Sequence, residues 1–283
     1  MIEIKKIGII GAGTMGSGIA QICALKGYET ILLDLDQNTI NKAKTIIEKN
    51  LQKGVDRGKV SDEDKSNCLN NLSFTVELND IVADLIIEAV VERLDIKQDL
   101  FKKLAEINSD KTIFASNTSS IPITDIASAI PHPERVVGMH FFNPAHIMKL
   151  VEVISGKATA TDVAESIYQL AEELEKSPVN AKDSPGFIVN RVARHFYLES
   201  LKCLEEGISD HAGIDTLMES TGFKMGPFKL MDLIGIDTNY SVTTSMYEAF
   251  DKEPRFKPNN IQKEKVDAGH WGKKSGKGFY DYS

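Results

Sequence analysis

Four side chains in the middle of the sequence are of types that can move a proton or hold an oxygen. They are Ser119 in Ser-Asn-Thr-Ser-Ser, His140 in Gly-Met-His-Phe-Phe-Asn-Pro, Glu152 in Lys-Leu-Val-Glu-Val-Ile and Asn190 in Pro-Gly-Phe-Ile-Val-Asn-Arg. All lie downstream of a glycine-rich loop, Gly11-Ala12-Gly13-Thr14-Met15-Gly16. A hydride acceptor and a histidine backed by a carboxylate are enough to oxidise an alcohol. The cofactor takes the hydride, the imidazole takes the proton, and the carboxylate steadies the cation that forms. Ser119, His140 and Glu152 also resemble a hydrolytic triad, but the chain has no Gly-x-Ser-x-Gly elbow and such an enzyme would have no use for the glycine loop. Zinc chemistry lacks a ligand cluster. The cysteines Cys23, Cys68 and Cys203 are scattered, with no Cys-x-x-Cys pair, so no metal and no disulfide framework are expected.

The glycine loop means little unless a strand precedes it and a helix follows. Residues 6–10 are a short apolar run that reads as a buried parallel strand. Residues 14–26 carry apolar side chains at helical spacing through Met15, Ile19, Ile22 and Leu25, with Gly27 as C-terminal cap. A second strand, 30–33, ends at Asp34. A polar, Lys-rich helix is predicted over 38–52, and a further short helix within the charged stretch 54–71. Strands recur at 72–75, 85–88, 113–115 and 136–139, separated by helical stretches such as 94–107. The alternation predicts an α/β fold: a Rossmann-like, doubly wound parallel sheet with helices on both faces. His140 then falls just past the carboxyl end of a strand, where such sheets bind ligands. From Lys182-Asp183-Ser184-Pro185-Gly186 onward the periodicity is almost only helical. A boundary is placed there, giving a nucleotide-binding domain over 1–184 and a smaller all-helical domain over 185–283. The Gly- and Lys-rich tail, 269–283, reads by composition alone as disordered.

In a loop of this kind Gly11 permits the tight turn, Gly13 lets the backbone approach a pyrophosphate, and Gly16 lets the helix pack on the strand. The phosphates would rest on the helix N-terminus, where unpaired N–H groups favour anions. Asp34, at the end of the second strand, is placed to accept hydrogen bonds from the adenosine ribose. A carboxylate there repels a 2′-phosphate, so NAD is expected over NADP, and Asp36 strengthens that expectation. From these residues alone an FAD or S-adenosylmethionine site stays open. So does the orientation of Glu152. Its run is otherwise apolar, and burying it would demand a partner such as protonated His140. Alternatively Val151 and Val153 face the core and Glu152 faces solvent.

Taken together, these motifs resemble the 3-hydroxyacyl-CoA dehydrogenase family in its short bacterial 3-hydroxybutyryl-CoA form, over nearly the whole chain. The resemblance implies NAD as cofactor and reversible oxidation of a short (S)-3-hydroxyacyl-CoA to the 3-ketoacyl-CoA. It implies His140 as base, supported by Glu152, with Ser119 and Asn190 on the substrate, and a site closed by the second domain. It places Glu92, Lys97, Asn117, Ser119, Asn143 and Lys274 near the cofactor, although lysines such as Lys97 and Lys274 are ordinarily solvated. It directs coenzyme A towards the basic stretch around Lys53, Arg57 and Lys59, with Asp56 weakening the local field. It also implies an ordered tail at Lys-Ser-Gly-Lys-Gly-Phe-Tyr. A homodimer through the second domain is expected, because so small a helical unit has limited capacity to bury all its apolar faces.

The chain's formal net charge of −8 argues against a general nucleic-acid binder. No apolar run is long enough to span a bilayer and no signal peptide pattern is present, so a cytoplasmic protein is expected. Two rivals remain: a dehydrogenase of a free hydroxy acid, which would need a cation for the substrate carboxylate, and a nucleotide-binding structural protein without turnover.

Overall fold

The structure is a computed structural model that describes residues 2–283, and the chain divides into two compact units between Ser184 and Pro185. The first unit is built on one eight-stranded sheet in the order β3-β2-β1-β4-β5-β6-β7-β8. Its strands are β1 (Lys6–Ile10), β2 (Glu29–Leu33), β3 (Leu72–Thr75), β4 (Leu85–Glu88), β5 (Ile113–Ser116), β6 (Val136–Phe141), β7 (Leu150–Ser155) and β8 (Ser177–Lys182). Helices α1 (Thr14–Leu25), α2 (Gln37–Asp56), α3 (Asp62–Asn70), α4 (Leu94–Ile107), α5 (Ile123–Ala127) and α6 (Thr161–Glu173) connect them.

The strands from β3 to β6 are mutually parallel, but β7 runs antiparallel to β6, and β8 pairs in parallel with β7. The sheet is therefore mostly parallel, and β7 and β8 are additions to the expected strand set. β8 reads poorly as a strand because it lies at an edge, carries Pro178 and is largely exposed. The central strands are buried throughout, with Ile7, Ile9, Leu32, Ile87, Val137, Met139, Val151 and Val153 in one apolar core. Helix α2 runs through Asp56, four residues past the expected end, and is N-capped by Asp36, whose carboxylate accepts from the Asn38 and Thr39 N–H groups. Asp36 is exposed, and its charge stays beside Asp34 while it caps the helix.

The second unit consists of α7 (Val189–Glu205), α8 (His211–Ser220), α9 (Pro227–Ile234), α10 (Ile236–Ala249) and α11 (Asn260–Asp267) around Tyr197, Leu201, Phe228, Met231, Ile236 and Phe279. Its tail is ordered, against the reading from composition, because two fully buried carboxylates hold it. Asp232 accepts from the Phe279 and Tyr280 N–H groups at 2.9 Å and from the Tyr282 hydroxyl at 3.0 Å. Asp215 caps α9 from a neighbouring helix through the Phe228 and Lys229 N–H groups, and also accepts from the Tyr280 hydroxyl at 2.8 Å. The glycines of the tail are what let it come so close: a Cβ on Gly278 would lie 2.1 Å from Asp232 Oδ1.

No helix among the described residues is long and apolar enough to cross a membrane.

Candidate active site

The carboxyl ends of the parallel strands stand in one row. Ile10 pairs with Glu88, Glu88 with Ser116, and Ser116 with Gly138. The glycine loop leaves from the first of these positions, and His140 lies two residues beyond the last. His140 is inside β6 rather than just past it, since the strand continues to Phe141.

At the glycine loop, Gly11 has φ +98°, and its N–H donates to Leu33 O at 2.8 Å. A Cβ at Gly16 would lie 1.7 Å from Gly11 O, so helix and strand pack as closely as only glycine allows. A Cβ at Gly13 would meet nothing within 4 Å, so the loop presents bare backbone to open space. The first turn of α1 through Thr14, Met15 and Gly16 has no side-chain cap and no acidic residue. Such a cradle fits a pyrophosphate. Asp34 accepts from the Ala12 N–H at 2.9 Å through Oδ2 and from the Asp36 N–H at 3.1 Å through Oδ1. Its carboxylate ties the end of β2 to the glycine loop.

At the far end of the row, His140 and Glu152 are opposite one another in the β6–β7 register. His140 Nδ1 lies 2.7 Å from Glu152 Oε2, and Glu152 is 1% exposed, so the alternative in which it faces solvent is excluded. A carboxylate accepts, so Nδ1 carries the proton and the neutral ring's lone pair is on Nε2. The imidazole also packs on Phe142, ring centroids 4.4 Å apart. Asn117 fastens the neighbouring loop to this strand: its Oδ1 accepts from the Phe141 N–H at 2.8 Å. Asn143 lies in the exposed loop beyond β6.

Between loop and dyad lies a cluster that sequence reasoning grasped only in part. Lys97 is 1% exposed rather than solvated, with Nζ 2.6 Å from Glu88 Oε1 and 3.2 Å from Glu92 Oε2. Glu92 Oε1 accepts from the Thr118 hydroxyl at 2.6 Å, the Ser119 N–H at 2.9 Å and the Ser120 N–H at 3.1 Å, and lies 3.3 Å from Ser119 Oγ. Burial opposes the Glu92 charge, but the Lys97 ammonium and the Thr118 and Ser119 donors outweigh it and hold its carboxyl below the usual carboxylate range. Glu92 thereby shapes the loop that carries Ser119. Glu88 was missed as a site residue, although an acid closing the apolar run Leu-Ile-Ile gives the same signal as Glu152.

The basic set lies on the surface: Lys53 in the last turn of α2, Arg57 at its C-cap and Lys59 beyond it, all exposed. Among the described residues none of the three pairs with a carboxylate. Asp56 is engaged by Gln52 at 2.8 Å. In the second unit, Asn190 is in the first turn of α7, and Lys274 is half exposed with Nζ 2.7 Å from Asp237 Oδ2. Among the described residues no group of three or more His, Cys, Asp or Glu could hold a metal ion.

Known proteins are similar to this chain over its length. Residues 6–184 match the family model described as 3-hydroxyacyl-CoA dehydrogenase, NAD binding domain, and residues 186–282 match 3-hydroxyacyl-CoA dehydrogenase, C-terminal domain. The chain is 46% identical over its whole length to a 3-hydroxyadipyl-CoA dehydrogenase of Escherichia coli, of which it spans 60%. It is 40% identical to a 3-hydroxybutyryl-CoA dehydrogenase of Clostridioides difficile, covering 98% of this chain and 99% of that one. The crystal structure of (S)-3-hydroxybutyryl-CoA dehydrogenase from Ralstonia eutropha superposes with a TM-score of 0.95 at 36% identity, covering 99% of this chain and all of that one. The chain belongs to the 3-hydroxyacyl-CoA dehydrogenase family of NAD-dependent oxidoreductases.

Proposed function

We propose that the protein interconverts a short (S)-3-hydroxyacyl-CoA, such as 3-hydroxybutyryl-CoA, and the corresponding 3-ketoacyl-CoA. The observation that carries this reading is the buried His140–Glu152 pair, 2.7 Å apart, in the same row of strand ends as an open glycine cradle. Bound NAD would supply the hydride acceptor. His140 Nε2 takes the hydroxyl proton, and Glu152 holds the ring by Nδ1 and steadies the imidazolium. In the reverse direction the same imidazolium returns the proton. Ser119 and Asn190 hold the substrate oxygen. Gly11 to Gly16 hold the pyrophosphate and Asp34 the adenosine ribose, while Glu92, Lys97, Asn117, Asn143 and Lys274 line the cofactor's course. Lys53, Arg57 and Lys59 attract the phosphates of coenzyme A.

The test is oxidation of NADH, followed by absorbance, across 3-ketoacyl-CoA substrates of increasing length, with a free 3-keto acid alongside. Turnover of acetoacetyl-CoA and none of acetoacetate is the expected result. Equal turnover of the free acid would favour the hydroxy-acid dehydrogenase, and no turnover of any substrate the structural protein. The name of the Escherichia coli relative makes a dicarboxylic acyl-CoA the second substrate to compare. We also propose a homodimer formed through the second unit, which exposes Val192, Phe223, Leu217 and Leu233. A solution mass near the 31.2 kDa of one chain would refute it.

A further inference from the structure

The cluster between the glycine loop and the dyad holds unequal charge. Glu88 is fully buried, and its carboxylate accepts from the Val90 N–H at 2.8 Å, from Lys97 Nζ at 2.6 Å and from the Ser116 hydroxyl at 2.6 Å. It is therefore bound as a carboxylate. Lys97 is the cation of the cluster and is shared with Glu92. Two carboxylates against one ammonium leave one negative charge in excess. Stability alone does not account for this arrangement, because a buried ion pair roughly breaks even against apolar packing of the same volume. The excess carboxylate is also the one that reaches the surface, since the Glu92 side chain is 37% exposed and those of Glu88 and Lys97 are closed off.

Its place in the row gives that charge an object. The glycine loop leaves β1 and the proton-accepting histidine is on β6, with β4 and β5 between them. Adjacent strands lie about 4.8 Å apart, so a cofactor with its phosphates on the loop and its reactive ring at the histidine must cross the ends of β4 and β5. Glu88 and Ser116 end those two strands. The oxidised nicotinamide ring carries a positive charge that the reduced ring lacks. A fixed negative charge near its path acts on one redox state and not on the other.

We propose that Glu88, Lys97 and Glu92 together discriminate between the redox states of the cofactor, their excess negative charge favouring NAD+ over NADH. The inference rests on the dehydrogenase reading of the site. Glu92 acts through its own charge. Glu88 acts at one remove, by neutralising Lys97 so that the Glu92 charge is not cancelled.

Calorimetric dissociation constants for NAD+, NADH and ADP-ribose test it, on the wild type and on Glu92→Gln and Glu88→Gln. Loosening of the Ser119 loop would weaken both redox states alike, so the ratio of the two constants is the readout. Kd(NADH)/Kd(NAD+) should fall on the order of tenfold in Glu92→Gln at low salt. It should fall in the same direction in Glu88→Gln, with ADP-ribose affinity held within about twofold. Equal shifts for NAD+ and NADH in both variants would overturn the proposal. If the wild type bound neither nucleotide, the dehydrogenase reading would fall first and take the proposal with it. Should Glu88→Gln lack a native circular dichroism spectrum, the ratio for Glu92→Gln decides alone.

Discussion

His140 and Glu152 are directly opposed across the antiparallel junction of β6 and β7, with Nδ1 and Oε2 2.7 Å apart. Cross-strand partners in an antiparallel pair have Cβ atoms about 4.5–5.5 Å apart, close enough for a glutamate carboxylate to reach an imidazole. The reversal of chain direction after β6 brings the chain back past the carboxyl end of that strand and sets an acid from a different strand beside the histidine.

That pair sets the first expectation. His140→Gln should lower kcat by about 10²–10⁴-fold, the usual cost of removing a general base, with NADH affinity near wild type. Glu152→Gln should give a smaller loss of kcat, because the ring keeps a hydrogen-bonding neighbour but loses the charge that steadies its cation. Steady-state kinetics beside NADH titration checks both. A His140→Gln variant retaining more than about a tenth of wild-type kcat contradicts the assignment.

Asp34 predicts cofactor choice. Wild-type kcat/KM should be higher with NADH than with NADPH. Asp34→Ala should weaken NADH binding by about tenfold or more, the scale of hydrogen bonds to a charged group, and should narrow the preference. The Ala12 N–H loses its acceptor in the same variant, so binding of ADP-ribose should weaken in parallel. A wild-type preference for NADPH would refute the role given to this carboxylate.

The basic surface around the end of α2 predicts a salt-dependent effect on one substrate only. Neutralising Lys53, Arg57 or Lys59 should raise KM for acyl-CoA and leave KM for NADH unchanged. The difference should shrink as salt rises, because exposed charges are screened over about 8 Å at physiological ionic strength. Three single variants with unaltered acyl-CoA KM would make this ordinary surface.

The tail predicts a stability effect remote from chemistry. Asp232→Asn leaves three donors, one buried and two half-buried, facing a neutral amide, and at least one of them must face the amide's own N–H. A loss of about 2 kcal/mol or more is expected, which lowers Tm by roughly 5 °C. Trypsin should then cut after Lys277 faster than it does in the wild type. Unchanged proteolysis would show that the tail is held by its apolar contacts instead.

The sequence determined what depends on neighbours along the chain. The Gly11–Gly16 spacing, the apolar run before it and the periodic helix after it specify a tight strand–loop–helix turn with an open backbone by local sterics, and Asp34 follows from where the next strand must end. The change to purely helical periodicity after Gly186 marks the second unit for the same reason. Tertiary structure alone decided what depends on residues far apart in the chain. Period-two alternation around Glu152 is equally consistent with a solvent-facing or a core-facing acid. Only the β6–β7 register, which turns its side chain onto His140, removes the ambiguity. Lys97 looks like any helix lysine until packing closes over it and Glu88 supplies the charge that makes its burial tolerable. The tail looks disordered because its order comes from Asp215 and Asp232, at least 47 residues away, and composition carries no record of acceptors at that distance.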